Sequence, residues 1–253
     1  MHTPELRRYR RLVAQQGLVA FEVAVGETDL MILAERDLRA EARLAAREAR
    51  RQIESHAALH PEFLGARRPL PQPPHTPPLV AAMYAGARIA GTGPMAAVAG
   101  VVAEHVARVL AEHSSEVIVE NGGDLFAITR TERLIAVVAP GSQLDGRVAL
   151  ALPPGERAVC TSSGTVGHSA SAGRADAVVI AAADGALADA VATATGNRVG
   201  GPEDVQSAVE WARGRAGVQH VLIICGEALG AWGELELRGI SQRAGDSSEG
   251  SGV

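Results

Sequence analysis

Apolar and polar residues alternate in two short runs near the start of the chain. Leu18 to Val25 reads as a strand and Asp29 to Ala34 as its hairpin partner, with Gly26-Glu27-Thr28 as the turn. The period then changes. Leu38, Ala42, Ala45, Ala49 and Ile53 recur every three or four residues, which predicts a helix from Leu38 to about Leu59 with one apolar stripe. Asp37 is its candidate N-cap, and Pro61 lies just past its end. Ala66 to Pro78 holds six prolines. Proline fixes φ and lacks an N–H, so this stretch is an extended connection over the surface. A long loop within one domain is expected rather than a hinge, because one hairpin and one helix before it could not bury a core.

Helical patterns follow over Leu79–Ala90 and Met95–Glu112, interrupted by Gly91-Thr92-Gly93-Pro94. Strand patterns cover Val117–Val119, Leu125–Thr129, Leu134–Val138, Val148–Leu152, Ala158–Cys160 and Ala177–Ala182. Gly185–Thr195 and Pro202–Arg213 read as helices, and Val221–Cys225 with Ala231–Leu237 as a closing hairpin. Strands come in hairpins and helices in runs, which is an α+β pattern and not the strict alternation of a doubly wound sheet. The expected organisation is one domain over residues 1–241 and a disordered Gly/Ser/acidic tail over 242–253.

Composition narrows the function. The hydrophobic share is 47% and the aromatic share only 3%, so the core must be built from Ala, Val, Leu and Ile. A net charge of -5 argues against a nucleic-acid partner, which would need a basic excess. The arginines of the first long helix alternate with glutamates, as on a solvated face. Cys160 and Cys225 sit in apolar runs and read as buried free thiols. Met1 to Gln15 is polar, without the apolar region of a secretory signal, and no stretch approaches the ~20 apolar residues that span a bilayer. A cytoplasmic protein with no membrane association is expected.

Four segments concentrate the groups that carry chemistry. Gly91-Thr92-Gly93-Pro94 precedes a helix, whose free N–H groups attract anions; a tight turn between helices is the alternative. Glu120-Asn121-Gly122-Gly123-Asp124 follows a strand. Its glycines permit close backbone approach to a ligand, and Asn121 and Asp124 can bond a hydroxyl or ring edge; an ordinary hairpin turn fits equally. Thr161-Ser162-Ser163-Gly164-Thr165-Val166-Gly167-His168-Ser169 offers many neutral donors for phosphate or ribose oxygens. His168 there is a candidate general base or a surface histidine. Asp189 and Thr193 stand four apart on a predicted helix and share a face, an oxygen pair suited to Mg²⁺. The alternative is an aspartate near the helix start and a core-facing threonine.

The order of these segments resembles the ApbE superfamily of FAD:protein FMN transferases, and within it a cytoplasmic family grouped with them. The resemblance spans roughly Ala82 to Ala194. Gly93 to Glu104 is similar to the Lys-Gly-aromatic-x-x-Asp helix region, with Glu104 in place of Asp and no Lys. Asn121-Gly122-Gly123-Asp124 matches Asn-x-Gly-Gly-Asp, one residue shorter. Thr161-Ser162-Ser163-Gly164 resembles the Thr-Ser-Gly loop, and His168 falls where a family His follows, without the Pro-x-x-Gly behind it. Asp189 and Thr193 match Ala-Asp-Ala-x-x-Thr-Ala.

The resemblance implies an ApbE-like (T-fold-like) fold of mixed or antiparallel sheets with packed helices. It implies Mg²⁺ at Asp189 and Thr193, and FAD or a related flavin nucleotide held by Gly93, Asn121, Gly122, Gly123, Thr161, Ser162, Ser163 and Gly164. His168 and Asp124 are the implied catalytic residues. The activity implied is FMN transfer or cleavage of the FAD pyrophosphate, by a chain that works alone or as a homodimer. A non-catalytic carrier or sensor of a nucleotide, flavin or pterin-like ligand is the alternative that the departures favour.

Overall fold

The computed structural model describes residues 17–163 and 173–240. β1 (Val19–Val25) and β2 (Thr28–Ala34) form the expected hairpin, in register from Val19 opposite Ala34 to Val25 opposite Thr28. Helix α1 (Arg39–Leu59) buries Ala42, Ala45, Ala49 and Ile53, the stripe that the spacing predicts. Leu38 occupies its N-cap position, while Asp37 Oδ1 still accepts the Arg39 N–H at 2.9 Å. One helical turn, α2 (Glu62–Gly65), buries Phe63 before the proline-rich stretch.

Helix α3 (Pro78–Ala90) ends on Gly91, whose φ of 77° closes the helix in the left-handed region. A 3₁₀ turn (Pro94–Ala97) then leads into α4 (Val98–Leu110). The single helix expected from Met95 is thus split, because Pro94 starts a tighter turn that does not align with the helix after it. The chain bends by 104° between α3 and the Pro94–Leu110 segment. Among the described residues no single helix is long and apolar enough to cross a membrane.

Strands β3 (Val117–Asn121), β4 (Asp124–Thr129), β7 (Gly155–Ser162), β8 (Ala177–Ala182), β9 (Val218–Cys225) and β10 (Ala228–Gly233) join the first hairpin in one sheet of eight, ordered β1-β2-β3-β4-β7-β8-β9-β10. A second sheet has the order β11-β6-β5, from β5 (Arg133–Ala136), β6 (Val148–Leu152) and β11 (Glu236–Gly239). All the described pairings are antiparallel. This is the α+β class that the pattern of runs predicts.

The closing hairpin differs from expectation. β9 begins three residues earlier than its apolar run: His220 pairs with Ala181 and Gly233, Val218 pairs with Ala182, and Gln219 falls at the register shift between them. The segment expected as its single partner serves two sheets. The chain turns at Gly233, φ 120°, so that Leu237 pairs with Leu150 of β6 instead.

The large sheet separates two apolar layers. Ile32, Val119, Phe126, Cys160 and Ile180 face the helices, while Leu33, Ile118, Leu125, Val159 and Val179 face the small sheet. Residues of α1, which precedes the proline-rich stretch, share the helix-side cluster with residues of α3 and α4, which follow it. Helix α5 (Gly185–Gly196) is buried along most of its length against α3 and α4, and α6 (Val205–Arg213) packs against β9 and β10. The contacts around α5 are close enough to need glycine. A Cβ on Gly86 of α3 would lie 2.6 Å from Ala186 O. A core of Ala and Val permits this spacing because no large side chain holds the backbones apart.

Candidate functional site

Helices α4 and α5 cross at Gly100 and Gly185. A Cβ on Gly100 would lie 2.2 Å from Gly185 O, and a Cβ on Gly185 would lie 2.2 Å from Gly100 O. Each helix carries an acid four residues after its glycine, and each acid reaches the other helix's N-terminus. Glu104 Oε2 accepts the Gly185 N–H at 2.7 Å. Asp189 Oδ2 accepts the Ala99 and Gly100 N–H groups at 3.1 and 3.0 Å. Amides at a helix start are unsatisfied within the helix and favour a negative partner. The two carboxylates therefore cap the two helices reciprocally.

Around Asp189 the sheet supplies further polar groups. β3 and β4 are joined by the two-residue turn Gly122-Gly123, with Asn121 opposite Asp124. Both glycines have positive φ, 66° and 107°, as a primed hairpin turn requires. Glu120 Oε1 accepts the Gly123 N–H at 2.8 Å and secures the turn. Asn121 Nδ2 donates to Ala99 O at 3.1 Å, tying the turn to the start of α4. Asp124, opposite Cys160 in the β4–β7 register, accepts the Thr161 N–H at 3.2 Å. The segment is thus a hairpin turn, and it also sets Asp124 near Asp189.

Asp124 and Asp189 are buried and interact electrostatically. Burial, and then the charge of Asp189, push the Asp124 carboxyl well above its usual range, although the Cys160 thiol and the Thr161 amide hydrogen-bond it. Burial raises Asp189 to about 7 against the pull of the Gly100 and Ala99 amides. Neither acid has an ion-pair partner among the described residues, and each favours its protonated form more than an ordinary carboxyl does. Cys160 is fully buried in contact with Asp124, and its thiol is held protonated by burial and by the nearby acids. Sequence reasoning treated this cysteine as core; its register position opposite Asp124 makes it part of the acidic cluster.

The other expected site residues divide by position. Thr193 is half-buried on α5, one turn after Asp189. Ser162 and Ser163 are buried at the end of β7, and the Ser162 hydroxyl has no hydrogen-bond partner among the described residues. Thr161 is half-buried beside them. Gly93 has a packing role: a Cβ there would lie 1.8 Å from Ala66 O in the proline-rich stretch. Gly91 to Pro94 is therefore the tight turn between helices, and the anion-attracting amides lie later, at Ala99 and Gly100. Gly164 and His168 lie outside the described residues. Asp189 is not a helix-start residue, since Asp184 is the N-cap of α5 and accepts the Leu187 N–H at 2.8 Å. Glu104 is the partner that sequence reasoning missed as a group with a function. Its signal is the repeated spacing Gly100-x-x-x-Glu104 and Gly185-x-x-x-Asp189.

Residues 10–229 match the family model described as AbpE bacteria. The chain belongs to that family. Its relatives include the UPF0280 protein of Methanothermobacter thermautotrophicus, 36% identical over 193 residues, 74% of this chain and 75% of the relative. The UPF0280 protein of Methanoculleus marisnigri is 40% identical over 191 residues, 74% of this chain and 76% of the relative. This AbpE-family chain also shares its fold with solved flavin transferases. The flavinyl transferase ApbE of Pseudomonas stutzeri, in its apo form, is 14% identical at a TM-score of 0.52, over 85% of this chain and 94% of that one. A mutant of the flavin transferase ApbE from Vibrio cholerae gives a TM-score of 0.54 at 13% identity, over 85% and 96%. At such identities the likeness concerns the fold alone.

Proposed function

We propose that this AbpE-family chain binds FAD or a related flavin nucleotide together with Mg²⁺ and acts as a flavin-transferase-type enzyme. The observation that carries the proposal is the pair of buried carboxylates, Asp124 and Asp189, with no ion pair to either among the described residues. Burying acids without compensation is costly, and a bound cation removes the cost. The donors fit a hard cation, since Asp189 and Thr193 offer oxygens and the cluster offers charge. When bound, Mg²⁺ neutralises charge on a pyrophosphate.

The chain's own groups have separate tasks in this reading. The Ala99 and Gly100 amides fix Asp189 through Oδ2, and its other oxygen, with the Thr193 hydroxyl, would hold the cation. Burial and the neighbouring Asp189 push the Asp124 carboxyl well above its usual range, and in this reading it is a group that exchanges a proton during transfer. The hydroxyls of Thr161, Ser162 and Ser163, with Asn121 and the Gly122-Gly123 turn, hold the nucleotide. Gly164 and His168 follow in sequence, the first as a further nucleotide contact in this reading and the second as a further group for proton transfer. In the reaction a hydroxyl of an acceptor, or water, bonds to the FMN phosphorus and gives its proton to an acid–base group or to solvent, the pyrophosphate P–O bond breaks, and AMP leaves with the electron pair.

A carrier that binds the nucleotide without turnover is the second reading. Thr92 stands where the transferases have Lys, and Gly93 is filled by the Ala66 backbone, which favours it. Incubation with FAD, with and without Mg²⁺, followed by mass spectrometry separates the two. AMP released only with Mg²⁺, and not by Asp189→Asn, supports the enzyme. Tight binding of unchanged FAD supports the carrier, and no binding of any flavin nucleotide defeats both.

A further inference from the structure

On the opposite face of the large sheet from the acidic cluster are two hydrogen-bond donors with nothing to donate to among the described residues. His220 of β9 is 2% exposed. Its Nδ1 accepts the Leu235 N–H at 3.3 Å, which places the ring proton on Nε2. Among the described residues that Nε2 is buried without a partner, and so is Nη1 of the half-buried Arg157 on β7. The two side chains are close enough for the guanidinium charge to act on the imidazole. Burial first, and Arg157 second, depress His220 to about 4, so the ring is neutral and donates one N–H.

The register puts both side chains on the face of the large sheet that meets the small one. Ala181 of β8 pairs with His220 and with Val159, two residues from Arg157 on β7, and Ala127 of β4 pairs with Arg157, so a small side chain lies in register with each. Gly233 lies against the other side of His220, where a Cβ would come within 2.9 Å of Nδ1. Among the described residues Arg157 forms no ion pair, although a partly buried guanidinium needs a counter-charge.

We infer that His220 and Arg157 hold a small anion, of the halide, carboxylate or phosphate class, between the two sheets. The anion accepts Nε2–H from His220 and Nη1–H from Arg157 and balances the arginine's charge. Thermal melts of the full chain at constant ionic strength, with gluconate exchanged for chloride, acetate or phosphate, test this. At least one of the three raises the midpoint saturably in the wild-type chain, by about 5–10 °C at a hundredfold excess over its Kd. Which one does so identifies the size of the anion. Arg157→Met and His220→Phe each abolish the saturable rise. No saturable rise, or the same rise in the variants, overturns the proposal. Should both variants fail to fold, crystals of the wild-type chain grown in bromide decide. Anomalous scattering between Arg157 and His220 upholds the anion, and a water there, or no density, removes it.

Discussion

The two ends of the α4–α5 crossing have the same parts and different electrostatics. At one end Glu104 caps Gly185 through Oε2 and is itself paired, because Arg108 Nε donates to Oε1 at 2.8 Å. Arg108 in turn reaches Glu156 at 2.7 Å and lies over the Phe126 ring, 5.0 Å from its centroid. At the other end Asp189 caps Ala99 and Gly100 but faces a second acid, Asp124, in place of a base. Capping alone explains Glu104 completely. It does not explain why the Asp189 end gathers Asp124 and Cys160 and leaves out an arginine. A structural cap needs only an acceptor, whereas a cation site needs surplus negative charge.

The contrast can be broken most forcefully at the glycines. Gly100→Ala and Gly185→Ala should each cost about 2–3 kcal/mol by chemical denaturation, because a methyl group would meet a backbone carbonyl that cannot move aside. The helix-propensity gain of such a change, about 1 kcal/mol, is too small to offset the clash. Neutral melts for either variant would mean that the crossing is looser than described.

Next in size is Asp189→Asn. Ligand-dependent stabilisation of the wild-type chain by FAD with Mg²⁺ should be about 2–3 kcal/mol at saturation and vanish in the variant. A variant that is less stable yet still responds to Mg²⁺ and FAD would reduce Asp189 to a cap like Glu104.

A pH series on the chain without cation comes third. Asp189 titrates at about 7 when folded and around 3.8 otherwise, so the folded chain holds the proton more tightly. Its contribution to stability is complete below about pH 4 and is lost as pH rises to about 7. The melting midpoint should fall across that window, Mg²⁺ should restore it above pH 7, and Asp189→Asn should be flatter. A midpoint that rises steadily with pH would contradict the uncompensated acid.

The smallest effect belongs to Glu104→Gln, which keeps an acceptor for Gly185 but loses the charge. It should cost under about 1 kcal/mol in thermal melts and leave the Mg²⁺ response unchanged.

Much of the fold was legible because its elements are strongly patterned. The β1–β2 alternation and the α1 stripe are each readable from local residues alone. Arg133, Gln219 and His220 were misleading because they are polar residues inside strands, and their burial depends on partners distant in sequence. Arg133, for example, is buried only because Glu116 receives its guanidinium, at 3.0 Å from Nε. The Asn-Gly-Gly-Asp and Ala-Asp-Ala segments were conspicuous as small-residue clusters. That Asp189 caps a helix other than its own was not, since a crossing is a tertiary fact. Gly93 was expected at the nucleotide from the resemblance alone, and its packing against the Ala66 backbone was not legible because that contact, too, is tertiary.

The order of strands in the large sheet also bears on how the chain is made. β2 finds its second neighbour, β3, about 90 residues later, after all of α1 to α4. At a synthesis rate of about 5–20 residues per second, β2 leaves the ribosome roughly 5–20 s before that neighbour exists. During this interval the first hairpin presents an open edge beside Leu30, Ile32 and Leu33, a template on which another nascent chain can pair. Slower translation between residues 35 and 121 therefore lengthens the period of aggregation risk, and a holding chaperone would be most useful there.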